Sequence, residues 1–243
     1  MMRLLDACLQ VGTEGIPLPY SPRMDDGIAV LLLGCFFLSA YVLSRSSKFL
    51  LQLVKDFLLN RERTSIFAMS TASDMRYLLL LVLQTCVLEG VFMFNYYQES
   101  KGVLVNHIAP LSLLLIYTSI PILVFCVKWL VYSVLGWIFF DKTKTGLWLE
   151  SYSTLQYYIG FALFPLVLFI VYFDLDSRIS VGLALILFLF VKILMLYKCI
   201  KLFCDNLYGC SLLFLYFCAL EIVPYLVLYQ GVEQLNDYLI IKF

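Results

Sequence analysis

Apolar residues run along this chain in long blocks separated by short polar stretches. Blocks long enough to fill a hydrocarbon core of about 30 Å lie near residues 27–44, 77–97, 108–128, 153–173, 179–197 and 208–229. They predict an all-α membrane protein with about six transmembrane helices. The end of the third block is open to two readings. Trp129 to Phe140 carries the apolar run past Lys128, and either lengthens span three or forms a helix in the interface. Pro17, Pro19 and Pro22 exclude regular helix from residues 12–26. The division is therefore a Pro-rich segment over 1–26 and a single transmembrane domain over 27–243, with Asp25 and Asp26 placed to cap the first span.

Between the first two blocks the period changes. Lys48, Gln52, Lys55, Asp56 and Asn60 fall close to one stripe at helical spacing, and Phe49, Leu50, Leu53, Val54, Phe57 and Leu58 cover much of the remainder. Residues 46–60 thus predict an amphipathic helix lying on the cytoplasmic leaflet or docking a partner, with leaflet anchoring the leading reading.

Composition agrees with a membrane setting: 63% of residues are hydrophobic and 14% charged, with a mean hydropathy of +0.92, whereas soluble domains carry about a quarter charged residues. The formal net charge of zero hides an asymmetry between loops. Loops 45–76, 141–152 and 198–207 together hold ten Lys/Arg: Arg45, Lys48, Lys55, Arg61, Arg63, Arg76, Lys142, Lys144, Lys198 and Lys201. The opposite side holds five: Arg3, Arg23, Lys101, Arg178 and Lys242. The positive-inside rule then puts both termini outside the cytoplasm. Met1 to Val11, interrupted by Arg3, Asp6 and Gln10, does not read as a cleaved signal.

Four ionisable residues lie inside the apolar blocks: Glu89, Lys128, Lys192 and Glu221. A charge at membrane depth costs several kcal/mol, which makes each a candidate for function unless it snorkels or finds a partner. Glu89 and Glu221 lie roughly 18–20 Å from the cytoplasmic ends of their spans at 1.5 Å of rise per residue, close to the midplane. Lys192 is about 8 Å from that end and Lys128 close to it, so snorkelling to the headgroups is the expectation for both lysines. An ion pair with a glutamate would be strained by the difference in depth. Pro121, Pro165 and Pro224 interrupt spans three, four and six, and Glu221-Ile-Val-Pro224 sets a carboxylate within the turn that the proline disturbs. The candidate intramembrane polar site is therefore Glu89, Glu221, Lys128, Lys192 and Pro224.

Internal similarity adds to this. Cys86-Val-Leu-Glu89 with Tyr97-Gln98 echoes Cys218-Ala-Leu-Glu221 with Tyr229-Gln230, and Val127-Lys128 echoes Val191-Lys192, each with an aspartate thirteen residues on, at Asp141 and Asp205. The pattern suggests three helical hairpins as parallel repeats. Standard enzymology has no support: the chain lacks GxxxxGK[ST], HExxH and GxSxG. No cysteine pair is spaced CxxC, and His107 has no second histidine for a metal site. No cofactor is expected, and no nucleic-acid partner, since there is no exposed basic domain.

Several stretches carry a family likeness. The segment from Glu14 through Pro17, Pro19 and Pro22 to Asp26, Gln84 and Tyr97 of the second block, the run Lys128-Trp-Leu-Val-Tyr to Phe139, and the closing Glu221-Ile-Val-Pro224 are similar to an uncharacterised Bacteroidota family of multi-pass inner-membrane proteins. The resemblance covers nearly the whole chain and implies a bacterial inner-membrane location. It brings no catalytic or binding residues. The leading expectation is a non-enzymatic subunit or scaffold of a cell-envelope complex, partnered by the lipid bilayer and by other membrane subunits or copies of itself. The alternative is a small ion- or proton-coupled transporter or channel using Glu89 and Glu221.

Overall fold

The computed structural model describes residues 20–59, 72–100, 109–139, 142–173, 175–203 and 207–242. Six long helices account for nearly all of them: α1 (Asp26–Leu59), α2 (Ala72–Ser100), α3 (Pro110–Phe139), α4 (Lys142–Tyr172), α5 (Ser177–Phe203) and α6 (Leu207–Lys242). No strand occurs among the described residues. Five helices, α1 to α5, contain stretches of 20 to 29 residues apolar enough to cross a membrane.

Local chemistry sets several boundaries. A 3-10 turn at Pro22–Met24 leads into α1. Asp25 caps that helix, its Oδ1 accepting from the Gly27 N–H at 2.8 Å, and the Tyr20 hydroxyl donates to the other oxygen at 2.5 Å. Asp176 repeats the device at the start of α5, accepting from the Arg178 N–H at 3.3 Å. Pro110 opens α3, where its missing N–H costs nothing.

Two expectations about extent change here, and one left open is decided. Residues 46–59 continue α1 without a break, so the segment read as a separate amphipathic helix is the far end of a 34-residue helix. Most of its side chains lie outside the described residues. Trp129 to Phe139 likewise extends α3. The stretch 141–152, read as a loop between two apolar blocks, is helical from Lys142 onward, because Trp148 and Tyr152 in it are buried against Tyr132. Residues 1–19, His107, Asp141 and Asp205 lie outside the described residues, as do the side chains of Cys210 and Cys218.

The core is built around α2 and α4, each with 44% of its apolar stretch buried, against 17% for α5. Leu88, Val91 and Phe94 of α2 meet Leu113, Leu114 and Tyr117 of α3 and Leu163, Val167 and Val171 of α4. A second cluster joins Tyr132, Trp148, Tyr152, Leu155, Met195 and Cys199 across α3, α4 and α5. Small residues let these helices approach closely, as expected where lipid-like surroundings remove the hydrophobic drive between helices. A Cβ on Gly90 would stand 2.7 Å from the Thr118 Cα, and one on Gly160 would stand 2.3 Å from the Thr85 hydroxyl oxygen. That hydroxyl itself bonds the Leu81 and Gln156 carbonyls at 2.9 and 3.1 Å, tying α2 to α4.

Candidate functional site

Glu221 is 2% exposed and projects from α6 into a ring of three donors. Lys128 of α3 donates to its Oε2 at 2.6 Å, Lys192 of α5 donates to the same oxygen, and the Tyr132 hydroxyl of α3 donates to Oε1. Both carboxylate oxygens are thus engaged by protein donors, which is the condition for holding a charge away from water.

The lysines do not snorkel. Lys128 is 4% exposed, and the reason lies in helix length. The apolar stretch of α3 runs to Ile138 and that of α5 to Lys201, placing Lys128 and Lys192 about 15 and 13 Å inside those ends at 1.5 Å per residue. The depth difference that argued against an ion pair came from ending both spans too early.

Aromatic rings complete the setting. The Lys128 ammonium stands 4.0 Å from the centroid of Tyr225, and that of Lys192 4.7 Å from Tyr225 and 5.0 Å from Phe188. Such contacts add about 0.5–2 kcal/mol each where the cation is desolvated. Phe188 and Tyr225 are themselves edge to face at 4.9 Å, and Tyr132 meets Trp148 and Tyr152 at 5.6 and 5.4 Å. Sequence reasoning missed Tyr132 and Tyr225, although a signal was present. Tyr132 follows Lys128 by four residues and Tyr225 follows Glu221 by four, the spacing that puts helical neighbours on one face.

Glu89 does not join this ring. It accepts from the Gln156 side-chain N–H at 3.2 Å, a pairing of α2 with α4. It does share a cavity with the ring. The space has a volume of about 390 Å³ and is partly open, and its polar lining is Glu89, Gln156, Tyr152, Lys192 and Tyr225, with apolar walls from all five of α2 to α6. Pro121 also lines it, whereas Pro224 acts one turn beyond Glu221, leaving the Leu220 carbonyl without its helical N–H partner. Among the described residues no three His, Cys, Asp or Glu side chains are grouped to hold a metal ion.

The arrangement places one acid, Glu89, on the wall of a small space and joins that wall through Lys192 to the compensated carboxylate behind it. A family model for a domain of unknown function, DUF4271, matches residues 28–232. No curated protein and no solved structure matches this chain.

Proposed function

This chain belongs to the DUF4271 family, a domain of unknown function, and from that premise we propose a non-enzymatic, multi-pass membrane protein that carries a small solute together with a proton, with Glu89 and Glu221 lining or bounding its path. One observation carries this reading: Lys192 is at once a ligand of Glu221 and a wall of the cavity that Glu89 lines. A purely structural ion pair has no need of an adjoining space with a second carboxylate. Ionisable groups among helices of this hydropathy commonly mark ion or substrate pathways, and a cavity near 390 Å³ falls within the 300–1,000 Å³ typical of small-molecule sites. The hairpin echo supports it as well, since the two lysines it pairs, Lys128 and Lys192, converge on one carboxylate.

The setting we propose is a bacterial inner membrane with both termini periplasmic, supported by the Lys/Arg balance of the loops. Cysteines introduced at Gly12 and Lys142 should react with an impermeant reagent from opposite sides, Gly12 from the periplasm. Reactivity of the Lys142 site from the periplasm alone overturns the orientation.

Transport is tested in proteoliposomes holding a pH-sensitive dye and challenged with a panel of monocarboxylates, amino acids and inorganic ions. At least one class should drive internal acidification with wild-type protein and fail to do so with Glu89→Gln at equal folding. Absence of solute-dependent proton movement across the whole panel removes the transport reading.

The subunit or scaffold reading is favoured by α5, whose exposed side includes Leu185, Ile186, Leu189, Phe190 and Ile193. Mild-detergent purification yielding a complex of fixed stoichiometry supports that reading, and an active monomer opposes it.

A further inference from the structure

The charges around the cavity do not cancel until Glu89 is counted. Lys128 and Lys192 bring two positive charges to the single negative charge of Glu221. The triad is therefore left with one excess cation. Among the described residues lining the cavity, Lys192 and Glu89 are the charged ones. With Glu89 ionised the set is neutral, and with a proton on Glu89 it carries one positive charge facing the space. Charges lining one small, mostly apolar space act on each other and on an occupant more strongly than they would in water.

We propose that the cavity takes a monovalent organic anion, a carboxylate with a short apolar tail, in exchange for the charge of Glu89 as that residue takes up a proton. The inference rests on the cavity being a solute site and adds the solute's class and its coupling. Three features select this class. An ammonium has three donors, and the Glu221 oxygen occupies one of those on Lys192, so the same group can hold a carboxylate in the cavity. The walls are mostly apolar, with Phe92, Ile120, Leu163 and Leu187 among them, which suits a tail and not a hydrated inorganic ion. Protonated Glu89, Gln156 and the Tyr152 and Tyr225 hydroxyls supply neutral hydrogen-bonding groups at the polar end.

Other titratable groups lie within electrostatic reach of Glu89. They are Lys128 from α3, Lys192 from α5, Tyr152 from α4 and Tyr225 from α6, with Cys86 one turn earlier on α2 and Cys126 beside Cys86. An anion bound at Lys192 brings a negative charge beside Glu89 and favours the neutral acid there, so anion and proton bind with positive coupling, and by linkage each raises the other's affinity equally. The balance is one proton and one anion per cycle, with no net charge moved.

The test is titration calorimetry of the full chain in lipid nanodiscs with octanoate, above about pH 6 where a carboxylate probe is ionised, repeated in buffers of different ionisation enthalpy. Empty nanodiscs and Lys192→Gln provide the background. Close to one proton should be taken up per octanoate bound, and affinity should fall about tenfold per pH unit on the alkaline side. Glu89→Gln, which mimics the protonated acid, should bind octanoate with no pH slope. Octanoate binding without proton uptake, preference for octylamine over octanoate, or no binding above the Lys192→Gln background each overturns the proposal. Should Glu89→Gln fail to fold, the proton count in wild-type protein decides alone. Coupled octanoate binding without flux in proteoliposomes upholds the site while removing the carrier reading. Proton-coupled flux of a cation without octanoate binding upholds the carrier reading and overturns the site.

Discussion

Replacing Glu221 by glutamine removes one charge and leaves Lys128, buried, and Lys192, part-buried, without the carboxylate to which both donate. At the 2.6 Å separation of Lys128 from Glu221, an effective dielectric of about 20 gives roughly 6 kcal/mol of attraction for that pair alone. Desolvation of the three groups offsets much of it. Removing one member of a buried pair nevertheless costs about 3–5 kcal/mol, because the survivor stays buried and uncompensated. The amide keeps one acceptor oxygen and presents an NH2 at the other position, so Tyr132 and the lysines are not all satisfied, and the expected loss for Glu221→Gln is about 3–5 kcal/mol despite its near-identical shape. The complementary variant converts the whole ring: Lys128→Met, Tyr132→Phe, Lys192→Met and Glu221→Leu together. It should recover most of that loss, since apolar replacement of an entire buried cluster is often neutral or stabilising. The assay is reversible unfolding in mixed micelles, read by fluorescence of Trp148, which is buried against Tyr132. A Glu221→Gln protein within about 1 kcal/mol of wild type, or a fourfold variant no more stable than the single one, would falsify the view that these charges are held by one another.

Gly90→Ala should destabilise by about 1–3 kcal/mol through overpacking on the Thr118 backbone; Gly34→Ala, with nothing within 4 Å of its new methyl, should be neutral or stabilising by up to about 1 kcal/mol, and the same unfolding assay compares the two. Tyr117→Phe should cost about 1–3 kcal/mol, because its hydroxyl donates to Asn236 Oδ1 at 2.7 Å and Asn236 is fully buried. At the start of α1, burial, the hydrogen bond to Asp25 and the charge of Asp25 hold the Tyr20 hydroxyl above the ordinary tyrosine range. A group with a raised folded value stabilises fully below its unfolded value, here about pH 10, and less as pH climbs beyond it. Tyr20→Phe should therefore speed amide exchange in the first turn of α1 at neutral pH, with the difference from wild type shrinking above about pH 10; an undiminished difference there contradicts the assignment.

The helices were legible in the sequence because twenty consecutive apolar residues leave few alternatives to a long helix. So were the four charged residues, each conspicuous for interrupting such a run. Partner choice was not, and the cause is traceable to helix ends. Trp129 to Phe139 carries no stop signal, yet ending span three at Lys128 made that lysine look like an interfacial residue. At the other end of the short connection, residues 141–152 fell between two apolar blocks and resembled a loop, because polar residues mark turns as well as helix surfaces; burial of Trp148 and Tyr152 decides for helix there. Glu89 and Glu221 looked equivalent from their shared context, whereas Gln156 meets one and two lysines meet the other. Side-chain partners supplied by other helices have no local imprint.

The order of the charged ring along the chain gives its assembly a direction in time. Lys128 precedes Glu221 by 93 residues and Lys192 precedes it by 29. At a synthesis rate of about 5–20 residues per second, the first lysine waits roughly 5–20 s for its acid. Over the last 29 residues of that interval both cations are present and Glu221 is not yet made, so α3 and α5 lack the carboxylate that draws their lysines together. The arrival of α6 supplies it, and a ribosome that stops before Glu221 releases a bundle with two cations unmatched. Synthesis of α6 as far as Glu221 is thus the event that joins α3 and α5 through one carboxylate.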